Sequence, residues 1–256
     1  MPDIVEILWT GGYDSTFRIA QLSRKNVVIQ PYYLSDKRPS EPNELHAIQE
    51  ITADLQANLE TKCTFLPLRI IGVEERKTAV TVSEAFRHLK SQTYMGSQYE
   101  WLGTFALDHP GLELSIHKDD KAIALIKKHG ALKRIHDANC DEDTYVIDKD
   151  ASSPEVNTLF GHFRFPLAEL TKLDMKKSYR QMGLEALSNK TWFCYTPIQG
   201  KPCGHCHPCQ YTIEEGLKDR FTTTAYIRYL IYGKLRPMLA NIPALRKLKN
   251  RICRKH

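Results

Sequence analysis

Short apolar runs alternate with stretches of helical periodicity in the first half of the chain, and this alternation constrains the fold most strongly. Residues 3–9, 27–34 and 64–71 are rich in β-forming side chains and are predicted to be strands. Residues 14–25 and 41–59 are predicted to be helices. Strands connected through helices pair in parallel, with helices covering both faces of the sheet. The sequence therefore predicts a doubly wound α/β domain.

The pattern continues less regularly through the middle of the chain. Helices are predicted around residues 97–107 and 119–129, with a strand at 112–116 between them. Residues 137–155, DANCDEDTYVIDKDASSPE, are polar and are expected to form a loop-rich excursion from the sheet. One face of the helix at 41–59 is predicted to hold four apolar residues, Leu45, Ile48, Leu55 and Leu59.

The length of 256 residues suits one large domain, or one domain with a small appendage. With 42% hydrophobic and 26% charged residues, the chain can bury a substantial core. No run approaches the roughly 18 apolar residues of a membrane span. An acidic residue, Asp3, stands where a signal peptide would be basic, so we expect a cytoplasmic protein.

Charge is distributed unevenly along the chain. From Arg220 onward there are ten Lys or Arg residues and no Asp or Glu. The first 219 positions therefore hold 26 of the 36 basic residues and all 30 acidic residues. Residues 222–256 also contain Tyr, Leu and Ile, and are predicted to form an amphipathic basic tail interrupted at Pro237 and Pro243. This tail could bind a membrane surface, nucleic acid or an acidic partner, or could pack on the body with its basic face in solvent.

The first predicted strand and helix are joined by TGGYDST, residues 10–16. Gly11 and Gly12 let the backbone turn sharply and approach a ligand closely. The helix that follows offers unpaired N–H groups and the positive end of its dipole. Three hydroxyl groups add donors at the same point, those of Thr10, Ser15 and Thr16. The loop is therefore predicted to be a cradle for phosphate or pyrophosphate.

Two other phosphate-binding motifs are excluded, because no lysine follows the glycines at Walker A spacing and G-x-G-x-x-G is absent. A plainer interpretation remains open, in which Asp14 or Ser15 only caps the helix after a Gly-Gly turn. The position of the loop favours ligand binding, because ligands of open α/β sheets bind at the carboxyl ends of the strands.

Four cysteines form a C-x8-C-x2-C-x2-C pattern: Cys194, Cys203, Cys206 and Cys209. Four thiolates complete a tetrahedral zinc site, and a closed site of this kind is usually structural. A redox role for one Cys-x-x-Cys pair is the alternative. His205 and His207 are expected to be loop residues, since the cysteines already provide four ligands. The remaining cysteines are interpreted as packing or surface thiols: Cys63, Cys140 and Cys253.

The loop at residues 10–16 resembles the pyrophosphate loop of the N-type ATP pyrophosphatases, Ser-Gly-Gly-x-Asp-Ser, with Thr10 in place of the first serine. Combined with the four-cysteine pattern, it resembles the 7-cyano-7-deazaguanine synthase family, zinc-containing enzymes of queuosine and deazapurine biosynthesis. FPLAELTKLDMKKSYRQMGL, residues 165–184, resembles the family's Pro-Leu-x-x-Leu-Thr-Lys segment, and TWFCY, residues 191–195, resembles the surroundings of its first cysteine. The resemblance covers the first 60 residues and residues 160–216.

The resemblance implies an adenine nucleotide alpha hydrolase-like fold with strand order 3-2-1-4-5 and a C-terminal zinc-binding subdomain. It implies that ATP is split to AMP and pyrophosphate, with Asp14 and Ser15 as catalytic residues and Asp14 positioning Mg²⁺. Zn²⁺ would be held by the four cysteines. The loop residues implied to bind the nucleotide are Thr10, Gly11, Gly12, Tyr13, Asp14, Ser15 and Thr16.

In that family, ATP adenylates the carboxylate of 7-carboxy-7-deazaguanine, ammonia displaces AMP to give an amide, and a second activation yields the nitrile. Pro2 follows Met1, so no N-terminal cysteine is present to release ammonia, and we expect free ammonia or ammonia from a partner. The family's Asp-x-Ser-Gly-Tyr-Pro-Asp-Cys segment is absent, and residues 98–121 stand in its place. This departure leaves the acceptor open.

Two other functions therefore remain open. One is thiolation of tRNA or modification of another macromolecule, which would require a reactive cysteine, with Cys140 as the mid-chain candidate. The other is a catalytically silent zinc module that binds nucleic acid through its tail. The predicted domains are residues 1–185 for ATP binding, 186–221 for zinc and 222–256 for the basic tail, in a chain that could form a homodimer.

Overall fold

The computed structural model describes residues 4–93, 95–138 and 140–236. The chain divides into two compact units, residues 1–192 and residues 193–256. The cut falls near the predicted boundary at residue 185. The assignment of ATP binding, zinc binding and the tail to separate domains stays a prediction.

The described part of the first unit has strands β1 (Ile4–Leu8), β2 (Val28–Leu34), β3 (Thr64–Phe65), β4 (Arg69–Ile71), β5 (Leu112–Glu113), β6 (Leu132–Asp137), β7 (Glu142–Ile147) and β8 (Phe163–Arg164). Six of them form one sheet in the order β3-β2-β1-β5-β8, with β4 also paired to β2. Every pairing in this sheet is parallel. The predicted parallel α/β architecture is confirmed.

The edge next to β2 is one strand in two parts. β3 and β4 pair with successive parts of β2, but the register shifts by one residue between Phe65 and Arg69. Pro67 lies in the gap and has no backbone N–H to donate to a ladder. If β3 and β4 are counted as one strand and only the strands of this sheet are numbered, β5 becomes the fourth strand and β8 the fifth. The observed order is then 3-2-1-4-5, as the resemblance implied.

Helices connect these strands: α1 (Tyr13–Ser23), α2 (Glu41–Ala57), α3 (Val80–Gln92), α4 (Gln98–Leu107), α5 (Lys121–His129), α6 (Pro154–Phe160), α7 (Lys172–Gln181) and α8 (Glu185–Lys190). They pack in two groups, one containing α1, α2, α7 and α8 and the other containing α3, α4 and α6. The four helices predicted from periodicity correspond to α1, α2, α4 and α5.

Two details of the prediction are wrong. The helix predicted over 41–59 ends at Ala57, and Leu59 is fully exposed beyond it, whereas Ile48, Ile51 and Leu55 are buried. The strand predicted over 112–116 is paired only at Leu112–Glu113. In both cases the apolar residues continue past the end of the regular element, although the amide of Leu114 still donates to the backbone oxygen of Arg164 at 2.9 Å.

The polar stretch at 137–155 contains a strand, which corrects the prediction of loops. β6 and β7 form an antiparallel hairpin with a register running from Leu132↔Ile147 to Asp137↔Glu142, separate from the parallel sheet. Acidic residues disfavour strands, but here their charges are paired, Glu142 with Arg18 and Asp143 with Arg134. These partners lie far away in sequence or across the hairpin, so the local pattern did not indicate a strand.

The second unit contains the cysteine-rich loops, α9 (His207–Glu214), α10 (Thr223–Tyr229) and a π-helix at Leu230–Leu235. The predicted interruptions of the tail at Pro237 and Pro243, and Cys253, lie outside the described residues. Among the helices that the structure describes, none is both long enough and apolar enough to cross a membrane.

Candidate active site and metal centre

The loop between β1 and α1 turns sharply at Gly11, whose φ is +68°. A Cβ atom at this position would lie 2.6 Å from the backbone oxygen of Glu44, so both the conformation and the space require glycine. Gly12 is the N-cap of α1, with φ of −76°. The glycine pair thus brings the main chain around β1 and directly into the helix.

No side chain caps α1, so the plainer interpretation of Asp14 or Ser15 as the helix cap is wrong. Both lie in the first turn of the helix. The Thr10 hydroxyl accepts a hydrogen bond from the backbone of Gly12 at 3.3 Å, and the Ser15 hydroxyl accepts one from the backbone of Thr10 at 3.3 Å. The two hydroxyl oxygens are 3.3 Å apart, beside the start of the helix.

The remaining loop residues have different roles. Thr16 is fully buried, and its hydroxyl accepts a hydrogen bond of 3.0 Å from the Trp9 indole, so it braces the loop from behind. The Tyr13 ring packs edge-on against Tyr179, with the ring centres 5.5 Å apart. Of the seven predicted loop residues, five line the adjacent cavity: Thr10, Gly12, Tyr13, Asp14 and Ser15. Gly11 and Thr16 do not line it.

This cavity of about 220 Å³ lies where the chain crosses from one side of β1 to the other. β2 pairs with one side of β1, and β5, after a long crossover, pairs with the other. Such a switch point opens a crevice at the carboxyl ends of the strands, the usual ligand position in open α/β sheets. The sequence analysis predicted that the glycine loop lies at the carboxyl end of the first strand, and the cavity is found at that place.

Residues 98–121, where the sequence analysis found no Asp-x-Ser-Gly-Tyr-Pro-Asp-Cys segment, form much of the cavity wall. Eight of its residues line the cavity: Gln98, Tyr99, Trp101, Leu102, Leu114, Ser115, Ile116 and Asp120. Most of them are apolar or aromatic. The phosphate loop and the divergent segment therefore face the same space.

A second cavity, of about 370 Å³, adjoins the first and shares Asp36, Gln98 and Trp101 with it. Its wall includes two cations, Arg76 and Lys77. The Arg76 guanidinium lies 3.7 Å from the centre of the Trp101 ring, a close cation–π contact. The two adjoining cavities are thus lined by the glycine loop in the first and, in the second, by two cations, the carboxylates of Asp36 and Glu100, and the Trp101 ring.

Asp14 has a charged environment that the sequence analysis did not identify. The ammonium group of Lys172 donates a hydrogen bond to Asp14 Oδ1, and His117 Nδ1 lies 3.6 Å from Asp14 Oδ2. Lys172 is the first residue of α7, and its side chain is only 10% exposed. The hydroxyl of Thr171 caps that helix by accepting from the amide of Asp174. A buried lysine is thereby held at the glycine loop.

Asp120 extends this cluster on the side of β5. Burial raises its pKa above the usual range, against the opposing effects of the Ala122 amide hydrogen bond and the charges of His117 and Lys172. Sequence reasoning missed Lys172, His117 and Asp120 as site residues. Lys172 lies in residues 165–184, the segment whose resemblance to a family was noted from the sequence. His117 and Asp120 closely follow β5, and the rule that ligands bind at the carboxyl ends of strands would have identified them.

Cys140, the candidate for sulfur transfer, is buried away from the cavity. It lies 3.8 Å from the guanidinium of Arg18, but burial dominates and raises the pKa of its thiol to about 12. A reactive cysteine needs access and a lowered pKa. Glu113 and Glu142 lie close enough to Cys140 to suggest a metal site, but both carboxylates are ion-paired to Arg18.

The four predicted zinc ligands come together in the second unit. The sulfur atoms of Cys194, Cys203, Cys206 and Cys209 all lie within 4.8 Å of one another, and three of the four residues are buried. The Cys203–Cys209 and Cys206–Cys194 sulfur pairs are 3.8 and 3.9 Å apart. Zinc–sulfur bonds of about 2.3 Å in a tetrahedron place sulfurs about 3.8 Å apart, so the donor set fits zinc.

The backbone around the cysteines supports thiolate ligands. The amides of His205 and Cys206 donate to the Cys203 sulfur at 3.4 and 3.3 Å, and the amide of Cys203 donates to the Cys194 sulfur at 3.2 Å. Gly204, with φ of +83°, makes this turn possible, since a Cβ there would lie 1.9 Å from the Ala225 oxygen. Such amide donors stabilise negative charge on sulfur.

The comparison with protein families bears on the same two regions. Residues 155–219 match the family of the queuosine biosynthesis protein QueC. The match covers about a quarter of the chain, and it includes Lys172 and all four cysteines. It confirms the resemblance over residues 160–216, and the QueC family is one of enzymes of the ATP pyrophosphatase type. The loop at residues 10–16 and the segment 98–121 lie outside the QueC match, and no curated protein matches the chain.

Proposed function

We propose that the protein is an ATP-dependent ligase that adenylates a carboxylate, releases pyrophosphate and transfers the acyl group to ammonia. One observation carries the proposal: Lys172, from the family-matched region, meets Asp14 of the glycine loop at the carboxyl end of the sheet. Two segments separated by more than 150 residues thus supply complementary parts of one phosphate-binding site.

The phosphate end of the cavity suits a pyrophosphate leaving group. The first turn of α1 offers N–H groups and the positive end of the helix dipole. Thr10 and Ser15 add hydroxyl donors, and Lys172 adds a positive charge. Asp14 is the carboxylate that would hold Mg²⁺, an ion that neutralises phosphate charge when bound. These groups stabilise charge and fix geometry, which is how proteins promote phosphoryl-type transfer.

The proposed reaction has two activations. A carboxylate oxygen of the acceptor attacks the α-phosphorus of ATP, and the bond to pyrophosphate breaks. Ammonia then attacks the acyl carbon, AMP leaves with the former carboxylate oxygen, and a proton is lost to give an amide. A second ATP activates the amide oxygen in the same way, and loss of AMP and two protons gives a nitrile. We propose 7-carboxy-7-deazaguanine as the acceptor.

The far wall supports a flat, anionic acceptor. Tyr99, Trp101 and Leu102 line the cavity and give it apolar surface against which a fused heterocycle can pack. Arg76 in the adjoining cavity provides positive charge for its carboxylate, whereas Lys77 is paired with Asp108 and the same wall also carries Asp36 and Glu100. The burial of Cys140 disfavours tRNA thiolation, and a formed phosphate loop beside a cavity disfavours a silent zinc module.

Release of pyrophosphate from ATP tests this function. The intact protein is incubated with ATP, Mg²⁺, ammonia and 7-carboxy-7-deazaguanine, and the products are identified by mass spectrometry. We expect pyrophosphate, AMP and a nitrile. Asp14→Asn should abolish turnover, because the variant cannot hold Mg²⁺ at the loop, whereas the exposed Asp150→Asn should retain it. Full activity of Asp14→Asn would remove the loop from the mechanism, and pyrophosphate without nitrile would assign a different acceptor.

A further inference from the structure

An exposed aliphatic face lies on the last helical segment of the described chain. Four aliphatic side chains of α10 and the following π-helix are 38–51% exposed: Ile227, Leu230, Ile231 and Leu235. Their spacing places them on one side of the helix. Ala225 and Tyr229, on the other side, are buried within the same unit. The helix therefore has one face in its own core and a second apolar face directed outward.

Positive charge accompanies this face. No Asp or Glu follows Asp219, while ten Lys or Arg residues lie from Arg220 to the end of the sequence, six of them after residue 236. Two of the cations near the face are held in place: Lys234 pairs with Glu214 at 2.7 Å, and Arg228 donates to the backbone of Cys203 at 2.7 Å. The apolar face thus belongs to a segment whose charge is of one sign.

We propose that this face docks on the surface of an anionic lipid bilayer. Helices that lie in the bilayer interface combine an exposed apolar face, which enters the acyl boundary, with basic residues that pair with anionic headgroups. Tyr226 and Tyr232, which are 36% and 45% exposed, are of the amphipathic type that favours the headgroup level. The proposal does not depend on the reaction proposed above.

The chemistry of the face favours lipid over two other occupants. Nucleic acid would engage the cations and could stack on tyrosines, but it would leave the four aliphatic side chains without an apolar partner. A second copy of the chain could cover them, but it would bring two basic segments together with no carboxylate after Asp219 to offset the repulsion. Of these three occupants, the bilayer is the one that satisfies both the apolar face and the positive charge.

Sedimentation of the full chain with vesicles tests the proposal. One set contains phosphatidylcholine with about one third phosphatidylglycerol, and the other contains phosphatidylcholine alone. We expect binding to the anionic set that weakens as salt is raised. The double variant Ile227→Gln/Ile231→Gln should reduce the partition coefficient about tenfold or more, because both side chains contribute apolar area. The matched control is Leu59→Gln/Val80→Gln, at two exposed aliphatic positions of the first unit, and it should bind normally.

Circular dichroism and zinc content establish that the variants are folded. Absence of vesicle binding, or binding that the Ile227→Gln/Ile231→Gln change leaves intact, overturns the proposal. A concentration-dependent dimer that this variant dissociates would assign the face to a second copy instead. Salt-sensitive RNA binding by a protein that ignores both vesicle sets would assign the segment to nucleic acid.

Discussion

At the scale of single residues, the site depends on a few side chains with little freedom to vary. Gly11 is fixed by its positive φ and by the nearby oxygen of Glu44, and Thr16 is fixed by its hydrogen bond to Trp9. The groups left to face a ligand are the hydroxyls of Thr10 and Ser15 and the carboxylate of Asp14. The ammonium group of Lys172 also lies at this loop. Because Lys172 belongs to a different helix, its contribution can be isolated by substitution without changing the loop itself.

Lys172→Met should reduce kcat/KM for ATP by about a hundredfold or more, because it removes a positive charge aimed at the phosphate site. Lys172→Arg should restore part of the loss. Lys177→Met, on an exposed position of the same helix, is the matched control and should be near normal. Pyrophosphate release at varied ATP concentration measures all three.

A merely structural lysine would give a different pattern. If Lys172 only neutralises Asp14, the double variant Asp14→Asn/Lys172→Met should recover the stability that Lys172→Met loses, and ATP affinity should follow stability. Loss of ATP turnover in Lys172→Met at unchanged thermal stability is the outcome that supports a role in binding phosphate. Equal activity of Lys172→Met and Lys177→Met would contradict it.

At the scale of elements, the hairpin of β6 and β7 is attached to the rest of the first unit through Arg18. The guanidinium of this buried residue of α1 pairs with Glu113 of β5 at 2.6 Å and also with Glu142 of β7. Lys25 pairs with Glu142 at 2.8 Å and donates to the backbone of Cys140 at 2.6 Å. Three elements are thereby joined by one set of charges, in which Arg18 and Glu113 are buried while the side chains of Glu142 and Lys25 are 23% and 26% exposed.

Arg18→Leu should lower the free energy of unfolding by about 3–5 kcal/mol, because it leaves the carboxylate of Glu113 buried and unpaired. The double variant Arg18→Leu/Glu113→Leu should recover much of that loss. Arg134→Leu removes an exposed ion pair with Asp143 and should cost less than about 1 kcal/mol. Urea unfolding measures the three variants, and an equal loss in the two single variants would contradict the role of Arg18.

Lowering the pH should weaken the ion pairs that Glu142 of the hairpin makes with Arg18 and Lys25. Burial alone would raise the pKa of Glu142, but the charges and hydrogen bonds of Arg18 and Lys25 outweigh burial and hold the pKa below its usual range. Because the folded pKa is the lower one, Glu142 stabilises the fold above its unfolded pKa. This contribution is lost as pH falls through the folded pKa. Above that pKa, the contribution should also be smaller in Arg18→Leu.

The sequence predicted those parts of the fold that short-range patterns determine. Periodicity located α1, α2, α4 and α5, and the glycine loop was correctly placed at the end of β1. The hairpin was missed because Glu142 and Asp143 are stabilised by Arg18 and Arg134, partners that no local window contains. The charged cluster at Asp14 was missed for the same reason, since Lys172 reaches it only in the folded sheet.

At the scale of the whole molecule, the two units are stabilised by different means. Residues 1–192 bury many large aromatic and aliphatic side chains, including Trp9, Phe17 and Phe160. Residues 193–236 bury few, and three of these are metal-ligand candidates, Cys194, Cys203 and Cys209. A unit this small seldom folds on its apolar core alone and commonly needs a metal. Zinc is therefore expected to determine whether the second unit is folded.

Cys206→Ser should lose zinc and structure together, because metal binding supplies folding free energy in a closed four-sulfur site. Limited proteolysis should then cut within residues 193–236 while residues 1–192 stay protected by their own core. A strong chelator should have the same effect on the unaltered protein. Cys63→Ser is the matched control: burial raises the pKa of this half-buried thiol to about 11, and it lies outside the cluster. A protease-resistant Cys206→Ser that retains zinc would contradict both the ligand set and the structural role given to the metal.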